Sequence, residues 1–395
     1  MNYPDLRFSE RILMGSGPSM ADPRVLRAMN TPVLGYLDPD HLRTMDDVVE
    51  LLRYAFQTQN EATFPVQGTG FSGMEACLGS LIEPEDKVLV AVNGFFGGRM
   101  CEMAERCGAR VVRLDQDWGK VFLPEVIEGA LRRHPDAKLF AVVHGETSTG
   151  ARQPLEGIGK LCREYGPLFL VDAVTSLGGS PLYVDAWEID LCYSGSQKCL
   201  GCPPGMAPVT LSERALGVMA ERRRKAASYY LDLSLIKDYW NDRHFYHHTG
   251  PVSMVYSLRE ALRILADEGL EARWHRHAQN ASALWAGLEA LGLDLFADKD
   301  CRLPSLTTVR LKEAMEDVPL RSRLLREFNL EVGGGLGPFA GRIWRIGLMG
   351  YTCTRRNVIY FLSALESLFQ DLGLLGEVGQ GLTAAQGVYL DHQGG

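Results

Sequence analysis

Apolar positions along the chain first recur at helical spacing at Leu42, Met45, Val48, Val49, Leu52 and Phe56, predicting a helix over residues 40–60. The pattern then breaks into short apolar runs closed by turn residues. Thr63–Val66, Lys87–Val92, Ala109–Leu114, Lys138–Val143, Leu168–Val171 and Asp190–Tyr193 read as strands. Helical patterns lie between several of them, at Gly73–Ile82, Gly97–Cys107, Leu123–His134 and Leu155–Tyr165. Strands alternating with helices predict an α/β fold, a doubly wound and mainly parallel sheet over about residues 60–250. From about 253 the periods lengthen. A helix from about 253 through Tyr256, Leu258, Ala261, Leu262 and Leu265, a second over about 269–292, strands at Ser305–Leu311 and Ile343–Leu348, and helices near 315–327 and 355–372 predict a smaller α+β domain. The expected organisation is an arm with a turn cluster (1–20), a large domain (21–252), a small domain (253–375) and a loose Gly-rich tail (376–395).

Composition narrows the class. The 395 residues are 46% apolar and 23% charged, which fits a globular protein and excludes a disordered or fibrous one. The longest apolar runs fall far short of the roughly 18–20 residues of a membrane helix. The first ten residues carry charges where a signal peptide needs an apolar stretch, so a cytoplasmic protein is expected. A net charge of −8 argues against nucleic acid as a partner. The basic run Arg222–Lys225 reads as a solvated helix face. Nine scattered cysteines read as reduced thiols. Cys199 and Cys202 have redox spacing but no thioredoxin-like context. His244, His247 and His248 lack a partner ligand at metal spacing, so no metal is expected.

Chemistry is sought where each strand ends, because open α/β sheets bind ligands at their carboxyl edge. After Thr63–Val66 come Gly68, Gly70 and Gly73, opening a helix. Glycines and free helix N–H groups make a phosphate cup plausible, with a plain tight turn as the alternative. A nicotinamide dehydrogenase would need an acid at the end of the next strand; that strand ends at Asn93, and Glu83, Glu85 and Asp86 precede it. After Leu168–Val171 comes Asp172, either a turn cap or a buried carboxylate awaiting a cation. After Asp190–Tyr193 comes Lys198 among small residues. An amine, an acid and an anion cup at neighbouring strand ends fit one cofactor, pyridoxal 5'-phosphate.

These segments carry a resemblance. His144-Gly-Glu-Thr-Ser-Thr-Gly150, Val171–Gly179 and Tyr193–Gly201 resemble class V aminotransferases, most of all the alanine–glyoxylate and serine–pyruvate group. The likeness extends to Gly15–Ser19, Asn93–Arg99, Tyr246–Thr249, Glu331–Gly337 and Trp344–Gly350. It implies a pyridoxal-phosphate fold type I homodimer with active sites shared between subunits and an N-terminal arm around the partner. It also implies roles. Lys198 is the Schiff-base lysine and the proton carrier, and Asp172 holds the ring nitrogen. Val174 and Phe96 flank the ring, and Thr147 reaches its hydroxyl. Thr69, Gly70, Phe71 and Gln197 hold the phosphate, with Tyr246 and Thr249 completing the cup from the neighbouring subunit. Position 71 is His in some relatives, and here Phe71 offers only its N–H and packing. Arg345 grips the substrate carboxylate, and Gly35 and Tyr36 join the substrate site, where Tyr36 and Phe96 favour small side chains. The implied reaction is ping-pong transfer from alanine or serine to glyoxylate or pyruvate. (S)-Ureidoglycine is the alternative donor, since that branch shares Gly-Glu-Thr-Ser-Thr-Gly; Tyr246–Pro251 and Gly333–Gly337 look more like the alanine branch. A non-catalytic relative of the fold, or a desulfurase using Cys353, is a further reading.

Overall fold

The computed structural model describes residues 1, 3–241, 243–375 and 377–391. Its strands are β1 (Ile12–Leu13), β2 (Ala62–Gly68), β3 (Lys87–Val92), β4 (Arg110–Asp115), β5 (Ala137–Val143), β6 (Gly145–Glu146), β7 (Ala151–Arg152), β8 (Leu168–Asp172), β9 (Leu191–Tyr193), β10 (Gly205–Leu211), β11 (Leu306–Arg310), β12 (Leu330–Glu331), β13 (Gly333–Gly334) and β14 (Ile343–Gly347). The helices are α1 (Pro23–Met29), α2 (Pro39–Phe56), α3 (Gly70–Leu81), α4 (Phe95–Arg106), α5 (Pro124–Arg133), α6 (Ile158–Tyr165), α7 (Glu213–Ala220), α8 (Leu233–Trp240), α9 (Val252–Glu268), α10 (Leu270–Ala290), α11 (Asp317–Phe328), α12 (Arg355–Asp371) and α13 (Gln380–Asp391).

Seven strands form the large sheet in the order β2-β10-β9-β8-β5-β3-β4. All pair in parallel except β10, which runs antiparallel to both β2 and β9. The reversal of β10 restores β2 to the direction of its distant neighbours. The carboxyl ends of β2, β3, β5, β8 and β9 therefore lie along one edge. The alternating pattern missed β10 for a physical reason. Pro208 lies inside it, opposite Pro65 of β2; a proline is tolerated in an edge strand such as β2 but argues against an interior strand such as β10.

Local signals set the helix ends. Asp38 caps α2 by accepting from the N–H of Asp40, and Pro39 starts the helix. Met45, Val48, Leu52 and Phe56 bury one face, and Gln57 at φ 54° ends it.

Most of the apolar core lies in two clusters. The larger cluster runs from Val25 to Trp274 and includes Val255, Leu258, Leu262 and Leu265 of α9. Helix α9, expected in the small domain, thus lays its apolar stripe on the large one. The smaller cluster joins α10, α11, α12 and α13 to Trp344 and Ile346 of β14, and takes in Met14.

Three expectations are corrected. Residues 380–391 of the supposed tail form α13, where Ala385 and Tyr389 are buried and Tyr389 donates to Asn280 Oδ1 at 2.7 Å. Its first turn is held by the buried Glu366 carboxylate, which accepts from the N–H groups of Gly379 and Gly381 at 2.7 and 2.8 Å. The tail's residues 392–395 lie outside the described residues. The basic run follows the end of α7 as a turn, not a helix face; Arg223 and Arg224 donate their N–H groups to Glu83. The arm is tied down from residue 12, where β1 pairs with β12.

No helix among the described residues is long and apolar enough to cross a membrane. The nine cysteines are free thiols; Cys199 donates to the Thr175 carbonyl and Cys202 meets the Ser257 hydroxyl, each at 3.3 Å.

Candidate active site

The shared carboxyl edge of the sheet opens into a cavity of about 190 Å³. Thr69, Gly70 and Phe71 line it from the end of β2, Phe96 from beyond β3, and Thr147 from beyond β5. Asp172 and Val174 enter at the end of β8, and Gln197 and Lys198 beyond β9. The structure thus gathers nine predicted residues into one chamber, with Met74, Val143 and Gly145 completing the wall.

Asp172 ends the central strand, in register with Tyr193 on one side and Val143 on the other. Its carboxylate accepts from the Tyr193 hydroxyl at 2.7 Å and the Val174 N–H at 2.8 Å. Burial nevertheless pushes its pKa up to about 7, so the site rewards a cation placed beside it.

Lys198 is only 9% exposed. Loss of hydration, then the charge of Arg345, push its amine down to about 8. Its Nζ donates to the Ser16 carbonyl. Ser19 fixes the same loop, its hydroxyl donating to the Lys198 carbonyl and its N–H to the Gln197 carbonyl, both at 2.8 Å. Glycine is required at 17, where a Cβ would stand 2.5 Å from Lys198 Nζ and φ is +106°.

Arg345 lies mid-strand in β14, and its Nε donates to the Gly334 carbonyl at 2.7 Å. Burial draws its pKa down to about 10, with the Glu146 charge acting in the other direction. It sits outside the cavity lining, but its charge reaches Lys198.

Thr147 Oγ1 meets Thr175 Oγ1 at 2.5 Å. Thr69 precedes α3 without a side-chain cap bond, so the first N–H groups of that helix, Gly70 and Phe71, are open to an anion. Gln197 Oε1 is buried without a hydrogen-bond partner, and the amide can turn donors or an acceptor to a ligand. A Cβ at Gly70 would lie 2.6 Å from Val174, so any larger residue there would invade the chamber. An anion cup, an unsatisfied amide, a carboxylate lacking a cation and a poised amine fit pyridoxal phosphate.

Tyr36, Tyr246, Thr249 and Gly35 do not line this cavity. Tyr36 and Tyr246 pack together with ring centroids 5.1 Å apart. Tyr246 OH meets Thr249 Oγ1 at 3.4 Å, and the Thr249 carbonyl accepts from Gln67 at 3.2 Å. Gly35 is exposed nearby. Among the described residues no group of three His, Cys, Asp or Glu could hold a metal.

Sequence reasoning did not single out Glu146, Ser16, Ser19, Tyr193 or Thr175. All five lie inside recognised motifs, where position offered a signal. The contact of Ser16 with Lys198 spans 182 positions and leaves no local trace.

Residues 14–336 match the family model described as Aminotransferase class-V. The structure of alanine–glyoxylate aminotransferase from Nostoc sp. is 49% identical, covering 93% of this chain and 98% of that one, at a TM-score of 0.92. That of ureidoglycine–glyoxylate aminotransferase from Bacillus subtilis is 45% identical, covering 98% and 100%, at 0.95. Alanine–glyoxylate aminotransferase of Callithrix jacchus is 42% identical over 92% of this chain and 89% of its own length. The glycines at 68, 70 and 73 thus belong to an aminotransferase and not to a dehydrogenase. The chain belongs to the class-V aminotransferases, a family of pyridoxal-phosphate-dependent enzymes.

Proposed function

We propose that this aminotransferase moves the amino group of a small L-amino acid, alanine or serine, to glyoxylate or pyruvate. One observation carries the reading: Lys198, Asp172 and the anion cup line one cavity, with the Arg345 charge acting on Lys198. Pyridoxal phosphate held there supplies the aldehyde and the electron-withdrawing ring of transamination. Thr69, Gly70, Phe71 and Gln197 hold the phosphate. Asp172 holds the ring nitrogen, Thr147 the ring hydroxyl, and Val174 and Phe96 the ring faces. Lys198, with its amine near 8, has a neutral fraction at physiological pH. It takes the proton from the substrate Cα and returns it. Arg345 binds the α-carboxylate that donor and acceptor share.

Gly35, Tyr36, Tyr246 and Thr249 serve a second copy of the chain. Tyr246 is 57% exposed and Phe245 60%, and Tyr36 leans on Tyr246. Such a shelf of rings fits burial against a homodimer partner, completing its phosphate cup and its substrate wall.

The B. subtilis relative favours a second donor, (S)-ureidoglycine. A panel of alanine, serine and ureidoglycine against glyoxylate and pyruvate decides between them. Alanine or serine with glyoxylate is expected to be fastest. A faster ureidoglycine rate overturns the donor, and no 2-oxo acid product from any pair overturns the reaction.

A further inference from the structure

Glu146 stands between Gly145 and Thr147, two residues of the cavity wall, yet is not part of that wall. Its side chain enters the N-terminal turn of α4. Oε2 accepts from the N–H groups of Phe96 and Gly97 at 3.1 and 3.2 Å. Oε1 accepts from the N–H and hydroxyl of Ser148 at 3.0 and 2.6 Å. The Ser148 hydroxyl itself accepts from the Phe95 N–H at 2.9 Å, so its hydrogen is left for Glu146. All four partners are donors. Three of these partners are N–H groups that can only donate, so their bonds favour the ionised form against the burial that raises the Glu146 pKa. The opening dipole of α4 supports that charge.

The turn is shaped for this group. A Cβ at Gly94 would stand 2.3 Å from Glu146 Cγ and 2.6 Å from Ser148 Oγ. Only glycine lets the chain close there. The carboxylate also acts at a distance: it favours the cation of Arg345 and disfavours the anion of Asp172.

We propose that Glu146 is a positioning residue of the transamination site, clamping α4 to the 144–150 turn so that Phe96 and Thr147 are fixed relative to each other, and setting a negative charge within reach of Arg345. This rests on reading the neighbouring cavity as the cofactor site. Thr147 follows Glu146 in the chain, and Phe96 donates to it through its backbone, so one carboxylate governs two walls. The role differs from that of Asp172, which faces the cavity itself.

Glu146→Gln keeps the size but turns an NH₂ toward N–H and O–H donors. Cofactor-stripped wild type, Glu146→Gln and Glu366→Gln are titrated with pyridoxal phosphate, followed by visible absorbance and visible circular dichroism. Amino-acid kinetics are then run on the loaded proteins. Glu366 is the control: a buried carboxylate that caps a helix and is not part of the cavity wall. Glu146→Gln is expected to weaken cofactor binding about ten-fold, shrink the dichroism of the bound cofactor, and raise KM for the amino acid about ten-fold. Glu366→Gln is expected to lower Tm while leaving Kd and dichroism at wild-type values. If Glu146→Gln also lowers only Tm, Glu146 is merely structural and the proposal fails. If wild type itself gives no bound-cofactor spectrum, the underlying site reading fails instead. Should Glu146→Gln not fold, Ser148→Ala, which removes one donor and keeps the charge, is expected to weaken binding about three-fold or more. Unchanged binding and dichroism in that variant also overturn the proposal.

Discussion

Two buried aspartates occupy opposite ends of the same strand pair. Asp190, beside the start of β8, receives the Phe169 N–H at 3.0 Å, the Ser212 hydroxyl at 2.9 Å and the Arg214 guanidinium at 2.8 Å. Arg163 stands 3.5 Å away. Asp172, at the other end of β8, has a tyrosine hydroxyl and one N–H but no arginine partner. The Lys198 charge is the weakest influence on it that is resolved. At the amino end of the sheet a buried charge is neutralised from within, and the gain is stability. At the carboxyl end it is left short of a cation, and the gain is a site that recruits one.

Substitutions sharpen this contrast, beginning with the partner that makes the carboxyl edge chemical. Lys198→Ala is expected to lower kcat at least about 10³-fold; near-wild-type turnover would remove Lys198 from the reaction. Asp172→Asn is expected to cost about 10²-fold in kcat, while the Tm of the cofactor-free protein holds or rises because a poorly solvated carboxylate is gone. Asp190→Asn should do the reverse. Stability falls by about 2 kcal/mol, toward the low side because both arginines keep contact with water, and kcat stays within about two-fold. Equal effects of the two substitutions on kcat would erase the distinction. Arg345→Ala is expected to raise KM for amino acids about 30-fold with a smaller change in kcat, as charge-assisted bonds to a carboxylate are lost; an unchanged KM removes it from the site.

The smallest effect is on pH. Burial lifts Asp172 from 3.8 to about 7. Between those values the folded chain binds more protons than the unfolded one, so stability of the cofactor-free protein falls as pH rises through that window and levels off above it. Asp172→Asn should flatten that fall in a Tm–pH series. An identical slope in both proteins would place the titration elsewhere.

Much of the site was readable from strand ends. Lys198, Asp172 and the Gly68–Gly73 turn each follow an apolar run, and parallel topology must bring such ends together. The regularity of β3, β5 and β8 made the sheet legible for the same reason. Helix α13 was hidden because glycines at 381 and 387 dilute its period, and its start is held by Glu366, 13 residues upstream of Gly379. The home of α9 was misjudged because an amphipathic stripe does not say which core it will meet.

By itself, the sequence determined which groups stand at each turn and thus the chemistry on offer: an amine, an acid, an anion cup and a guanidinium. Tertiary structure alone decided their environment. Distant segments close over Lys198 and drive water from its amine. Arg273 of α10 donates to the Cys199 carbonyl at 2.6 Å, and Glu268 ties it to Arg276, which holds the Cys353 carbonyl at 2.6 Å. Hydration, and the field of charges far away in the chain, depend on which surfaces meet, and local sequence carries no record of that.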